Sequence, residues 1–196
     1  MSAGLVVQSG SAARPFEGIS ACGDVAVSLQ GERCQLFAIV DALGHGPDAA
    51  RTADRLRSVL ATRADRPLRE TFVACDQSLS GLRGAVMSAV QVGEREVLFA
   101  GVGNVELLGP ANAKRPACVP GILGREMKRF REYALEVSPG DRWVLFSDGV
   151  RGREIARVLA SLRLLDPAAA AKAIIERAGR PDDDVSALVM DFGARR

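Results

Sequence analysis

The sequence predicts an α+β fold in which sheets pack against each other in the middle and helices cover them outside. Three observations lead there. Strand-like and helix-like runs come in blocks: strands, a helical pair, more strands, a second helical pair. The links between successive strands are of hairpin length, which favours antiparallel pairing. The 196 residues, 47% hydrophobic and 26% charged, hold enough apolar material for one substantial core and contain no linker, repeat or low-complexity stretch at which to divide it. The expectation is therefore one domain over residues 1–196, with no room for a separate sensor domain of about 100 residues.

The elements follow in order. Residues 25–29 alternate like a strand, and residues 36–40 (Leu-Phe-Ala-Ile-Val) are continuously apolar, as in a strand buried on both faces. Pro47 and Asp48 suit the first turn of a helix. Ala49, Ala53, Leu56 and Leu60 then give that helix an apolar stripe. A second helix is expected over 67–79, with Phe72, Cys75 and Leu79 inward. From Gly84 the pattern changes: 85–92 and 97–102 read as strands joined through Gly93-Glu94 as a hairpin, and 105–108 continues the sheet. Residues 144–146 form a buried strand, helices return at 154–162 and 167–178, and 185–190 is the last strand. Gly101-Val102-Gly103-Asn104 reads as a tight turn, because the Gly-Lys-Ser/Thr of a phosphate loop does not follow it. Residues 120–124 (Pro-Gly-Ile-Leu-Gly) read as a surface loop.

Charge and cysteine usage exclude several classes. A net charge of +2 from 26 basic and 24 acidic residues makes no electrostatic case for nucleic acid. Arg51, Arg55, Arg57, Arg63, Arg66 and Arg69 sit at spacings that suit the wet faces of helices. Cys22, Cys34, Cys75 and Cys118 include no close C-x-x-C pair of a zinc or redox site. The N-terminal apolar run is only Leu5-Val6-Val7, too short for a signal peptide, and no stretch approaches the roughly 20 apolar residues of a membrane span. The expectation is a cytoplasmic protein with reduced thiols and no membrane partner.

The chemistry lies in where the aspartates fall. Asp41 ends the run 36–40, Asp148 follows Val144-Leu145-Phe146-Ser147, Asp183 precedes the strand 185–190 within Asp182-Asp183-Asp184, and Asp24 precedes 25–29. Acids at strand ends are held rigidly and can converge. At about 5 Å and an effective dielectric near 20, each like-charged pair repels by roughly 3 kcal/mol. Several such pairs would consume much of a typical stability of about 5–15 kcal/mol. Bound cations remove that repulsion. The candidate ligands are all oxygens and the chain has one histidine, which points to two hard divalent ions, Mn2+ or Mg2+, rather than zinc. Two such ions activate a water for in-line attack on phosphorus, so no protein nucleophile is needed.

The ordered motifs are Cys22-Gly23-Asp24, Asp41-Ala42-Leu43-Gly44-His45-Gly46, Arg83-Gly84-Ala85, Gly101 through Val105, Ser147-Asp148-Gly149 and Asp183-Asp184-Val185-Ser186. Together they resemble the protein phosphatase 2C superfamily, in its bacterial sigma-factor-regulating (SpoIIE-like) branch and nearest to the short feedback phosphatases of the stressosome. The resemblance covers nearly the whole chain, with a core at about 22–191. It implies a four-layer αββα sandwich and a phosphoserine/phosphothreonine protein phosphatase. By position, it implies that Asp41 bridges both metals, that the Ala42 backbone carbonyl and Asp24 bind one, and that Asp148 and Asp183 bind the other. Asp184, Gly149 and Asn104 would support that shell. His45, the only histidine, would either give a proton to the leaving serine oxygen or be an ordinary loop residue near the helix start.

Two departures stand out. Relatives usually carry Gly where this chain has Ala42, which raises the question of backbone conformation. Many also carry a Glu shortly after Ser/Thr-Asp-Gly, where this chain has Val150-Arg151-Gly152-Arg153. The substrate implied is a phosphorylated STAS-domain stressosome protein in a sigma-factor pathway. The alternatives are a phosphatase of an anti-sigma-factor antagonist, a catalytically silent phosphoprotein-binding module of the same fold, and a general small-molecule phosphatase. The resemblance leaves the oligomeric state open, a monomer included.

Overall fold

The computed structural model describes residues 5–194 apart from 126 and 128. Its elements run β1 (Leu5–Arg14), β2 (Asp24–Gln30), β3 (Gln35–Ala42), α1 (Pro47–Leu60), α2 (Leu68–Ser78), β4 (Ala85–Val92), β5 (Val97–Val102), β6 (Glu106–Leu108), β7 (Glu132–Ala134), β8 (Arg142–Phe146), α3 (Gly152–Ser161), α4 (Pro167–Ala178) and β9 (Val185–Ala194). The strands form two sheets, β1-β9-β8-β6 and β2-β3-β4-β5-β7, paired antiparallel throughout.

Strand periodicity decides the layering. Successive side chains point to opposite faces of a sheet. In β3, Leu36, Ala38 and Val40 pack under α1 and α2, while Phe37 and Ile39 point the other way, into the space between the sheets. In β8 and β9, Trp143, Leu145, Leu188 and Met190 meet them there, and Val144, Phe146, Val185, Ala187 and Val189 pack under α3 and α4. The result is the αββα sandwich the sequence led us to expect. It also explains why these strands read as unbroken apolar runs: both faces are covered. Burying each large side chain of the middle layer contributes roughly 1.5–3 kcal/mol.

Local signals start and stop the helices. α1 begins at Pro47 directly after Gly46, which takes φ 79°. α4 begins at Pro167, and the Asp166 carboxylate accepts the N–H groups of Ala168 and Ala169, both at 3.0 Å. Between β2 and β3, the Asp65 carboxylate accepts the N–H groups of Glu32, Arg33 and Cys34 at 2.7, 2.9 and 2.8 Å and fixes that turn against the α1–α2 connection.

The structure adds to and corrects the sequence reading. The ten-residue strand β1 and the short β7 carry no clear alternation and were not anticipated. β1 is rich in Ser, Gly and Ala because it runs close under α4: a Cβ on Gly10 would lie 2.2 Å from the backbone N of Ala168. Residues 120–124 are not a free surface loop. Leu123 is fully buried, and its N–H and C=O pair with Ala85 at 2.8 and 3.1 Å. The four cysteines are all free, and no helix among the described residues is long and apolar enough to cross a membrane.

Phe37 lies in the middle layer at 2% exposure, far along β3 from the strand end that carries Asp41. Phe37→Ala should cost about 3–5 kcal/mol in urea unfolding. Val6→Ala, at a 43% exposed position, should stay within roughly 0.5 kcal/mol of wild type.

Candidate functional site

The acids singled out in the sequence come together where the two sheets end. In the β2–β3 ladder Asp24 stands directly opposite Asp41, so two carboxylates share one end of one sheet. Asp148 follows β8, and Asp183 and Asp184 precede β9, at the corresponding end of the other sheet.

Hydrogen bonds lock the two ends to each other. Asp24 is 5% exposed and accepts the Ser186 hydroxyl at 2.8 Å, across from one sheet to the other. Ser186 N–H in turn donates to the Ser147 hydroxyl at 3.0 Å. Both oxygens of Asp184 take backbone N–H groups, from Phe16 at 2.7 Å and Gly23 at 2.8 Å, so this acid anchors the chain that delivers Asp24. Gly23 C=O then accepts the Ala42 N–H at 3.1 Å. Asp148 is exposed and accepts from Asn104 Nδ2 at 2.7 Å. Asn104 is delivered by a turn at Gly103, whose φ of 96° and contact with Val86 leave no room for a side chain. Gly149 is held the same way: a Cβ there would lie 2.1 Å from the carbonyl oxygen of Asp184.

Electrostatically this is a cluster of like charges. Burial pushes the Asp41 carboxyl well above the usual range, and Asp24, Asp148, Asp183 and Asp184 push it further. Burial also raises Asp24; the hydroxyls of Ser147 and Ser186 oppose the rise, while Asp184 and Asp148 add to it. Asp183 is raised by burial and then by Asp148. Among the described residues no Lys, Arg or His forms an ion pair with any of these five acids. Nor do three His, Cys, Asp or Glu side chains close on a single point as a finished ligand shell. The donors facing the site are oxygens, chemistry that fits a hard divalent cation. Burial pushes the Cys22 thiol up to about 12, which disfavours a nucleophilic thiolate; a backbone hydrogen bond from Asp24 opposes the rise, and the charges of Asp24 and Asp184 add to it.

The remaining expected residues fall as follows. Ala42 is buried in β3, and no non-glycine residue among the described ones has positive φ, so Ala here needs no conformation reserved for Gly. His45 is exposed, makes no hydrogen bond among the described residues, and stacks on Phe16 with centroids 5.1 Å apart and planes 20° from parallel. Arg151, in the segment where relatives carry Glu, caps the start of α3 and pairs with Glu154 at 3.7 Å. Three contributors were missed. Ser147, just after β8, and Ser186, within β9, are fully buried hydroxyls beside apolar runs, and that incongruity was their signal. Arg83 lies over Gly44, with which a Cβ would meet its guanidinium at 2.5 Å, and reaches Asp48 at 3.3 Å. It stands over the loop that follows Asp41 and Ala42.

Known proteins share the family and the fold. The family described as Stage II sporulation protein E (SpoIIE) matches residues 31–193. The phosphoserine phosphatase RsbX of Bacillus subtilis (strain 168) is 22% identical over 144 residues, covering 71% of this chain and 72% of its own. RsbX crystallised with magnesium superposes with a TM-score of 0.82 at 18% identity, over 95% of this chain and 96% of that one. A structure from work on the bacterial stressosome as a modular system adapted to control secondary messenger signaling gives a TM-score of 0.86 at 31% identity, over 94% and 99%. The catalytic domain of the serine/threonine protein phosphatase PstP with two manganese ions gives 0.74 at 18% identity, over 96% and 99%, and shows the shared fold.

Without bound cations the cluster should make stability depend on pH. Asp41 holds its proton more tightly folded than unfolded. Its contribution is fully present below the unfolded carboxylate pKa and is lost as pH rises toward its raised folded value. In chelator, the urea midpoint should therefore fall from pH 6 to pH 9. Asp41→Asn should flatten that fall and raise stability at pH 8 by on the order of 1 kcal/mol. A flat wild-type profile would contradict the clustered geometry.

Proposed function

Since the chain belongs to the SpoIIE family of protein phosphatase 2C-type enzymes, we propose that it is a metal-dependent phosphoserine/phosphothreonine protein phosphatase. The observation that carries this reading is the convergence of five aspartates from two sheet ends with no ion pair to a cationic side chain among the described residues. The relatives point the same way, one being a phosphoserine phosphatase and another holding two manganese ions.

The residues fit two Mn2+ or Mg2+ ions. Asp41 would bridge them, Asp24 and the Ala42 carbonyl would hold one, and Asp148 and Asp183 the other. When bound, the ions would lower the pKa of a water and offset charge on the phosphoryl oxygens. The chain does the positioning. Ser186 and Ser147 aim Asp24, Asn104 aims Asp148, and Asp184 fixes the backbone at Gly23. Arg83, half exposed over Gly44, is placed to orient a phosphoryl dianion arriving at that loop. His45, exposed and stacked on Phe16, is read as an ordinary loop residue near the start of α1.

The substrate proposed is a phosphorylated STAS-domain regulator of a stressosome, in the cytoplasm. RsbX and the stressosome-related structure support that choice. The Ala42 backbone weakens the competing silent-module reading, because the departure that most favoured it requires no conformation reserved for glycine.

Phosphate release from a phosphoserine-bearing STAS-domain protein with manganese should stop on adding excess chelator. It should fall by about 100-fold or more in Asp148→Asn. Manganese at about 100 times its Kd should add about 2.7 kcal/mol to wild-type stability, and clearly less to Asp41→Asn. Arg83→Ala should lower kcat/KM by roughly tenfold or more while leaving the manganese-induced rise in Tm intact. Bound manganese with no phosphate release from any phosphoprotein would favour the silent module.

A further inference from the structure

Two clefts meet at Arg115, outside the carboxylate cluster. The smaller, about 230 Å3, opens beside Gly103 and Asn104, the latter bonded to Asp148, and is flanked by Glu106 and Arg115. The larger, about 710 Å3, has Leu108, Leu159 and Phe192 among its apolar walls and carries Arg115 and Arg163. β6 runs between them. It is an edge strand: β8 pairs one side, and among the described residues no strand pairs the other. Leu107 and Leu108 are buried, so the strand itself is covered, and what is open to an extended chain is the pair of clefts on either side of it.

The charges along this path are unevenly satisfied. Arg142, also in the larger cleft, is held by Asp191 at 2.5 Å and by the carbonyls of Leu162 and Leu165. Arg115 and Arg163 form no ion pair among the described residues. The acids lining the clefts are Glu106, Asp141 and Asp191; the Asp141 carboxylate is engaged by the Ser138 N–H at 2.8 Å and Asp191 by Arg142. The path thus begins beside Asp148, passes Glu106 and Arg115 and ends in an apolar hollow.

We propose that these two joined clefts are the docking track of the phosphoprotein substrate. An extended segment would place its phosphoserine at Asp148, an acidic residue opposite Arg115 and an apolar side chain in the larger cleft. The inference rests on the phosphatase reading above and adds how that site selects a protein. At about 3.3 Å per residue, a segment spanning from Asn104 to the far end of β6 needs about five residues. The acidic position therefore falls roughly three to five residues from the phosphoserine.

The test uses phosphoserine peptides carrying Asp or Lys at those positions on either side, each with a Leu beyond, and p-nitrophenyl phosphate as a flank-free reference, all with manganese. Wild type should prefer the Asp over the Lys peptide by about tenfold in kcat/KM on one side. Arg115→Glu should reverse that preference. Ala160→Trp, an exposed position that narrows the larger cleft, should raise KM for the peptide and lower the peptide-to-reference ratio of kcat/KM by about tenfold. An Asp/Lys preference unchanged by Arg115→Glu, or an equal loss on peptide and reference, would overturn the track while the phosphatase stands. Turnover of neither substrate by wild type would remove the phosphatase reading and the track with it.

Discussion

Repulsion among carboxylates is the constraint on which this structure turns. Asp24 and Asp41 face each other across a strand pair, and Asp148, Asp183 and Asp184 join them from a second sheet. Their hydrogen bonds sort them. Asp184 has both oxygens occupied by backbone N–H groups and serves as an anchor. Asp24 is held by the hydroxyls of Ser186 and Ser147, and Asp148 has one oxygen held by Asn104. Asp41 has no hydrogen bond among the described residues and carries the combined field of the others. The acid left least satisfied by the protein is the one proposed to lie between two cations.

The core makes that arrangement possible. β3 is covered by helices on one face and by the other sheet on the other, so its end cannot shift without disturbing two apolar layers. β9 is held the same way. Each delivers its acid from a rigid strand end, while Asn104 and the Asp148-Gly149 turn depend on glycines with no room for a side chain. Precision comes from the sandwich, whose two buried layers hold the strand ends in place.

Much of this was legible in the sequence because both faces of the central strands are buried. Residues 36–40 and 144–146 announced themselves as apolar runs, and each was followed by an acid. β1 was not legible. It is a strand of small and polar residues whose Gly10 serves close approach to α4, a tertiary requirement with no periodic signal. Leu123 was lost in a Pro-Gly loop because its burial comes from a bridge to Ala85, distant in sequence. At the site, the aspartates were found by their place at strand ends. The serines that aim Asp24 were not, because a hydroxyl within a strand reads as a neutral strand residue until a partner 162 positions away is known. Arg83 was quoted within a motif but could not be told from the other arginines without the fold.

The hydrogen bonds that build the site close some of the longest loops in the molecule. Ser186 reaches Asp24 across 162 residues, Asp184 reaches Phe16 across 168, and β1 pairs with β9. Contacts of such separation carry the largest closure entropy and form late in folding. A nascent chain that has not yet emerged through β9 lacks Asp183, Asp184 and Ser186 altogether. Synthesis order therefore bears on the cluster: Asp24 and Asp41 are made long before the acids that precede β9, and the cluster cannot close until both ends are present.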